Sequence, residues 1–473
     1  MNLLNLEATK QFNATPIQND RMEVAKTKWN NVAAGHPEWL DAEDNIRTIN
    51  FGKFIASWAA KKATLELSVS ISGSKRAEYI NSVIAAMVKE TLRSNVEIAC
   101  YNGGIILKPN GNIETSNAID YVTNFITTEK DSNGNILGAI FPCTLQKEKK
   151  FYTRLEYHRF VNTKSRDKEG NVYDKTYVVS QKAFVSSTED RLGKEIPLSS
   201  VPEWAKLIPE SYIYTEKPLF AYFKMPFGNT IDPASPEGVS IFSNAMEELR
   251  DLDIAWSRKS QEIEDSKHIT FVSDDNLNPN RLKERQIKLP RFVKGLDFGV
   301  NEESTIHEHV ATLLTEQRTN DINSVLAMIS TKCEFSQGQF VLDGKTGTIT
   351  ATEINADCQE TIQTISDIRR NLISAIKNLC YALDVYCDIY GYGTKGYVNV
   401  LDSTVEDDDI FYFDDLINSF EEDRARAYNL ATQGVISWVT YLTRFEGFGE
   451  DEAKEEIQRA KEERQQPKDI YEE

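Results

Sequence analysis

The chain has 473 residues, with 54 Lys+Arg against 73 Asp+Glu and a formal net charge of −19. At ~100–200 residues per domain this length allows about two to four domains with ample cores, and 40% apolar with 27% charged residues excludes wholesale disorder. A chain this acidic lacks the net Lys and Arg that tight binding to a phosphate backbone needs.

No apolar run approaches the roughly 18–20 residues that span a bilayer, so no membrane partner is expected. The start, MNLLNLEATK, has neither the basic region nor the long apolar stretch of a signal peptide. Six cysteines (100, 143, 333, 358, 380 and 387) form no CxxC pair and read as reduced thiols. Cys380 and Cys387 are seven apart, on one helix face, and are expected in the core.

Residues 1–70 read as mostly helical, with Trp29, Trp39, Phe54, Ile55 and Trp58 as anchors around a turn at Gly35–His36–Pro37. The spacing of Ile80, Val83, Ile84, Met87 and Val88 predicts one amphipathic helix over 75–94. From about 97 to 230 short β-rich runs appear, among them GGIILKP, GAIFPCTL, FYTRLEYHRF and VYDKTYVVSQKAFV. Asn-Gly steps at 102–103, 110–111 and 133–134 read as hairpin turns between them.

At 235 the texture changes. Ser235 suits a cap and Pro236 a first helical turn, and an amphipathic run follows to about Asp265. A helix of that length would be a rod of ~42 Å. Residues 267–308 form a small insert in which the charge sign flips. Between 281 and 294, Arg281, Lys283, Arg285, Lys288, Arg291 and Lys294 stand against Glu284 alone. The run reads either as a solvated face or as a docking surface for something acidic. A second long helix is expected over 309–332, then a Gly-rich loop, EFSQGQFVLDGKTGTI. Thr350 and Glu353 fit a capping box that opens a helix to about Tyr386, with no Pro or Gly to mark a kink. YVNVL at 397–401 reads as a strand, and 402–423 hold ten Asp/Glu and no Lys or Arg. Three shorter helices are expected near 417–433, 435–446 and 449–464.

Several motifs suggest chemistry and fail on context. Gly391-Tyr-Gly-Thr-Lys-Gly396 matches GxGxxG and Asp297-Phe298-Gly299 matches DFG, but a kinase glycine loop precedes its DFG. A dinucleotide loop must open a helix, whereas a strand is expected after Gly396, so a hairpin turn is the plainer reading. Gly344-Lys345-Thr346 imitates the end of a Walker A loop, yet residue 339 is Gln where Gly is required. His307-Glu308-His309 lacks the spacing of HExxH. No Ser/His/Asp or Cys/His arrangement stands out. The chain is therefore expected to be no enzyme and to hold no cofactor and no metal.

The order of elements carries more information. Two long helices flank a small basic insert; a Gly-rich loop, a longer helix and an acidic helical terminus follow. This order resembles the portal proteins of tailed bacteriophages, particularly the siphovirus-like branch. Phe151-Tyr-Thr-Arg-Leu-Glu-Tyr-His158 and Leu219-Phe-Ala-Tyr-Phe-Lys-Met-Pro226 are similar to that family's middle region. So are Ser235-Pro-Glu-Gly-Val-Ser-Ile-Phe242 with the NAMEELRDLDIAWS after it, and Thr348-Ile-Thr-Ala-Thr-Glu-Ile354. Gly434-Val-Ile-Ser and Gly449-Glu-Asp-Glu-Ala453 are similar to its terminal helices.

The resemblance implies an α+β portal fold that assembles as a ring, a dodecamer, at one capsid vertex of the virion, built in the host cytoplasm. Residues 1–235 would belong to the wing, 236–266 to the first stem helix and 267–308 to the clip. Residues 309–333 would be the second stem helix, 334–349 the tunnel loop, 350–402 the rest of the wing (long helix and β-hairpin) and 403–473 the crown. The implied role is a conduit for double-stranded DNA in packaging and ejection and a nucleus for capsid assembly. The implied partners are further copies of the chain, the terminase large subunit, a head-tail connector or adaptor, and the major capsid and scaffolding proteins. Arg281, Lys283, Arg285, Lys288, Arg291 and Lys294 would form the clip's docking surface, and Gln337, Gly338, Gln339 and Lys345 the DNA-facing loop. Another ring-forming head protein, a connector or minor capsid protein, is the nearest alternative; a nucleotide-dependent enzyme is the distant one.

Overall fold

The computed structural model describes the backbone of residues 3–17, 20–40, 45–111, 118–163, 165–166, 172–265, 269–272, 292–293, 306–309, 313–342, 351–392, 394–413, 427–434, 436–446 and 448–465. The chain divides into two compact units, Met1–Tyr412 and Phe413–Glu473.

The larger unit opens with α1 (Leu3–Gln11), α2 (Asp20–Ala33), α3 (Phe51–Ala63), a short strand β1 (Ser68–Val69), α4 (Lys75–Glu90) and α5 (Leu92–Asn102). Ser74 caps α4 by accepting the N–H of Ala77 at 3.2 Å. The single helix expected over 75–94 is two helices meeting at Thr91. The Thr91 hydroxyl turns back to Met87 O at 3.3 Å and also contacts the Tyr121 hydroxyl. That break lets Leu92 and Val96 bury on a different axis from Ile80, Val83, Ile84 and Met87.

The strands that follow are β2 (Gly104–Pro109), β3 (Ile119–Val122), β4 (Ile126–Lys130), β5 (Ile136–Lys147), β6 (Lys150–Val161), β7 (Ser165–Arg166), β8 (Val172–Tyr173), β9 (Thr176–Ser186), β10 (Lys194–Ile196), β11 (Glu210–Ile213) and β12 (Ala221–Lys224). They make an antiparallel six-stranded sheet, β10–β9–β6–β5–β4 with β11 also on β9, a three-stranded sheet, β12–β2–β3, and a two-stranded antiparallel pair, β7–β8. Side chains alternate across the larger sheet. One face sends Ile140, Leu155, Tyr157 and Phe184 onto Leu4 and Ala8 of α1. The other sends Ala139 and Phe141 onto Ile106 and Phe220 of the smaller sheet's layer.

Of the three Asn-Gly steps, only 133–134 sits in a tight hairpin. Asp131 closes that turn by accepting the backbone N–H groups of Asn133 and Asn135 at 2.8 and 2.7 Å. Gly103 instead ends α5 in the left-handed region, at φ 86°.

Ser235–Phe242 does not start a helix. All eight residues are buried, and helix α6 (Met246–Asp265) begins only after a 3₁₀ turn at Ser243–Ala245. The segment is held extended by its surroundings. Glu237 ion-pairs with Lys26 and accepts the Thr127 hydroxyl at 3.1 Å; Ile241 N donates to Cys100 O at 2.9 Å. Gly238 meets Gly103 so closely that a Cβ at residue 238 would lie 2.2 Å from Gly103 O. Tertiary burial overrides the local helix signals.

A small sheet lies next in sequence: β13 (Ile269–Val272) pairs in parallel with β14 (Phe292–Val293) and antiparallel with β15 (Ile306–His309). The second long helix, expected from 309, begins later, as α7 (Thr315–Lys332), because 306–309 are sheet. The longest helix, α8 (Ala351–Tyr390), runs unbroken for 40 residues. Cys380 and Cys387 are both buried along it.

The strand expected at 397–401, and with it a hairpin after the long helix, is absent. Asn399–Leu401 is a 3₁₀ turn. Asn399 takes the strand's place as a partner: its Oδ1 accepts from Ser72 N at 3.0 Å and its N–H donates to Ser72 O at 3.1 Å. The unit ends with β16 (Phe411–Tyr412), paired antiparallel with β1.

The smaller unit has helical residues 427–432, α9 (Trp438–Phe445) and α10 (Glu450–Gln465). Ser437 caps α9 through Thr440 N at 3.1 Å, and Ala427, Ala431 and Tyr441 form its core. Residues 414–426, which include the first ten residues of the helix expected near 417–433, lie outside the described residues.

Candidate functional site: a helix pair and the loop it leads into

The two helices α6 and α7 pack as a pair. Leu249 and Leu252 are buried on α6, and Ile322, Leu326 and Ile329 on α7, in the 3–4 spacing that the sequence displays. Burying each such side chain favours the fold by about 1.5–3 kcal/mol. Polar contacts fix the register beside this seam. Glu262 accepts from Leu314 N at 2.7 Å and from Arg318 Nε at 2.9 Å, and Lys259 Nζ donates to the Thr319 hydroxyl at 3.1 Å. Those contacts to Leu314 and Arg318 hold the Glu262 carboxyl below its usual range.

Asp253 ties α6 to the segment before α3. It is buried and accepts from Ile49 N and Trp39 Nε1, each at 3.0 Å. Burial pushes its carboxyl up, against the opposing pull of the hydrogen bonds from Ile49, Trp39 and Thr48.

α7 ends in a Schellman turn. Phe335 N reaches back to Ser330 O at 2.9 Å and Glu334 N to Thr331 O at 3.0 Å. The residue in the left-handed position is Glu334, at φ 59°, where glycine is the usual choice. Burial and the nearby Asp367 charge raise the Glu334 carboxyl.

This turn aims the chain at α3 and α8. Phe335 and Phe340 are buried, and their rings meet Trp58 of α3 at centroid distances of 5.1 and 5.5 Å. Phe340 also meets Phe51 at 5.5 Å and Phe54 at 5.9 Å in edge-on geometry. Such pairs add about 0.5–1.5 kcal/mol each beyond their burial. On the other side Ser336 and Thr361 bond reciprocally, and the Thr364 hydroxyl donates to Glu334 O. Leu342 N donates to Asn323 Oδ1 of α7 at 3.0 Å.

Of the loop residues singled out in the sequence, Gln337 and Gly338 are exposed at the tip of this anchored turn. Gln339 is half-buried, its Oε1 3.4 Å from the Thr361 hydroxyl. Lys345 lies outside the described residues, as do Arg281, Lys283, Arg285, Lys288, Arg291 and Lys294. The anchors Phe335, Ser336, Phe340, Thr361 and Thr364 went unread, although the bracketing of Gln-Gly-Gln by two Phe was a visible signal.

In the GxGxxG stretch the described glycines have structural roles. Gly391 terminates α8 in the left-handed region, at φ 67°, and Tyr392 N bonds back to Cys387 O at 2.8 Å. Gly396 packs on Ser74, where a Cβ would lie 2.6 Å from that side chain. Among the described residues, no group of His, Cys, Asp and Glu is placed to hold a metal ion.

Residues 129–469 match the family described as "Phage portal protein, SPP1 Gp6-like". Among solved structures the chain is similar to one from the virion of a native gene transfer agent particle, at 9% identity and a TM-score of 0.44, covering 89% of this chain and 92% of that one. A second, from the neck of the native particle computed with C12 symmetry, is 11% identical with a TM-score of 0.40, covering 91% of this chain and 95% of that one. No curated protein matches.

Proposed function

Because the chain belongs to the phage portal protein family of the SPP1 Gp6-like kind, we propose that it forms a ring at one vertex of a virus head and serves there as the passage for double-stranded DNA. The family match over 129–469 carries this reading. The order of elements supports it: α6, the small sheet β14–β13–β15, α7, an anchored loop and the 40-residue α8 follow one another in the chain. In the ring, α6 and α7 would be the stem, the small sheet part of a clip, and Gln337 and Gly338 the exposed tip of the anchored turn in the loop facing the passage. Packing paired helices side by side around an axis makes a closed wall when the same contact repeats head to tail.

The charge fits a passage better than a binding site. DNA is held through counterion release by clustered Lys and Arg, and a chain at −19 offers the reverse on balance. The basic run at 281–294 is the exception, and it suits an acidic partner such as a packaging motor or a connector. On this reading the chain hydrolyses nothing and acts as conduit, dock and assembly nucleus.

Electron microscopy of the purified protein, with sedimentation for mass, tests the proposal. The expected result is a ring of about twelve copies with a central hole. A globular monomer that binds ATP would overturn it.

A further inference from the structure

Two strands of the larger unit carry an open edge. Beside β11, Gln181 N of β9 donates to Pro209 O at 2.7 Å, in step with the pairing of Ser211 with Val179 and of Ile213 with Tyr177. An antiparallel ladder alternates, so Glu210 and Tyr212 turn their N–H and C=O groups away from β9. In the same way Asn110 N donates to Ala118 O at 2.9 Å, in step with Asp120 on Lys108 and Val122 on Ile106. Ile119 and Tyr121 therefore turn theirs away from β2. Among the described residues none of these outward groups has a hydrogen-bond partner, and neither strand has a second neighbour. The β4 edge differs: the chain itself meets it, Ile17 N donating to Thr127 O at 2.9 Å. Both open edges also lack devices that keep β-edges apart, since neither Glu210–Ile213 nor Ile119–Val122 holds a Lys, a Pro or a register shift. Ile208 and Tyr212, each 64% exposed, and Tyr214, 41% exposed, stand at even positions along β11 and just beyond it.

We propose that the β11 edge of one copy pairs with the β3 edge of a second copy, so that the sheets of neighbouring subunits run into one another. An open row of alternating donors and acceptors is matched by another extended strand, and this chain supplies one. The two edges differ, so the contact is head to tail. Each copy gives one edge and receives on the other, and repetition closes a ring when the rotation allows. Their places in the strand order suit this. β11 lies at the β9 end of the larger sheet, whereas β3 runs into β4, at the far end, across Thr123–Phe125. The joint also covers Ile208, Tyr212 and Tyr214, which adds apolar burial to the backbone bonds. The contact rests on the ring proposed above and names the surface through which its copies meet.

The test places proline where an outward N–H stands. Tyr212→Pro and Ile119→Pro each remove one outward donor, a change that an edge strand tolerates on its solvent side, and melting curves check that both variants fold. By sedimentation each Pro variant alone should need at least about tenfold more protein to assemble than the parent, while Tyr212→Val assembles as the parent does. An equimolar mixture of the two folded Pro variants should give one-to-one pairs and stop there, because one copy keeps β3 and the other keeps β11. In the assembled parent, hydrogen exchange at the amides of Tyr121 and Tyr212 should slow at least about tenfold relative to the diluted single copy, a reading that needs no variant. Folded Pro variants that assemble at parental concentrations, a mixture of them that forms no pairs, or rings in which these amides exchange as in the single copy would overturn the edge contact and leave the ring standing. A parent that never assembles would overturn the ring and this contact together.

Discussion

Ser336 and Thr361 hold each other through reciprocal hydrogen bonds: Ser336 N donates to Thr361 Oγ1 at 3.0 Å and Thr361 N donates to Ser336 Oγ at 3.3 Å. Both residues are buried, and they join the loop after α7 to the side of α8. Neither half of the pair can be removed cheaply. Thr361→Val keeps the shape but leaves Ser336 N without its acceptor in a dry site, which should cost about 1–3 kcal/mol. Thr361→Ser should cost much less. Urea unfolding of the two variants checks this, and equal stabilities would mean the reciprocal pair contributes nothing.

Glu334 occupies a backbone position that disfavours any Cβ. At φ 59° an L-residue loses about 1–2 kcal/mol relative to the right-handed helix, and glycine is free of that penalty. Glu334→Gly also removes a carboxylate repelled by Asp367. The substitution should therefore raise stability by about 0.5–1 kcal/mol, even though Gly is usually a destabilising choice. A fall in the melting temperature would show that the Glu334 side chain makes up for the strain.

A buried charge network behind the larger sheet sets the response to acid. Lys108 Nζ donates to both oxygens of Glu156 at 3.1 and 3.0 Å, with Arg154 alongside at 3.2 Å. His158 Nε2 lies 2.7 Å from Glu156 Oε1, and His158 Nδ1 lies 2.8 Å from the Tyr177 hydroxyl, which accepts from Leu219 N at 3.0 Å. Burial lowers His158, outweighing the pull of Glu156. Burial alone would raise Glu156, but Lys108, His158 and Arg154 bring it well below its ordinary range. Asp120, 3.6 Å from Lys108, and Tyr386 of α8 complete the surroundings. Both shifts have the same sign. The unfolded chain takes up protons that the folded chain refuses, so stability falls as pH falls. The His158 part starts below its ordinary 6.5, and the Glu156 part below its ordinary 4.5. His158→Gln should flatten the decline between pH 6.5 and about 5 and leave the steeper loss at lower pH. An unchanged slope would mean that His158 charges freely in the folded state.

This network also shows where the sequence misleads. Arg154, Glu156 and His158 alternate with Leu155 and Tyr157 on β6, the pattern of a strand with one wet face. The polar face is instead covered by β2, whose six residues are all buried, Lys108 included. Nothing local to β6 announces a second layer; only the chemical match of Lys108 to Glu156 explains how it tolerates one. Ser235–Phe242 misleads for a related reason, since its cap-and-proline start is overruled by the Gly103–Gly238 approach across the fold. By contrast the stripes of α6, α7 and α8 are legible because each reflects one-sided burial at helical spacing. The exposed tip at Gln337 and Gly338 follows from composition, whereas its anchorage depends on α3 and Thr361, far away in the chain.

The basic run at 281–294 allows a test that separates docking from assembly. Its six Lys and Arg are balanced only by Glu284, inside a chain that is otherwise acidic. Reversing Arg281, Lys283 and Arg285 to Glu changes the local sign and leaves the buried apolar residues of α6 and α7 (Leu249, Leu252, Ile322, Leu326 and Ile329) as they are in the sequence. On the proposed docking role the variant should fold and assemble as the parent does, since charge reversals on a solvated surface usually shift stability by no more than about 0.5 kcal/mol each. Association with an acidic partner should slow, and the salt dependence of its on-rate should shrink or invert, because steering by opposite charge is lost. Microscopy of the variant, run beside a packaging assay, reads the two effects apart. Intact rings with impaired packaging would place the run in motor docking. A failure to assemble would instead make it part of the contact between copies.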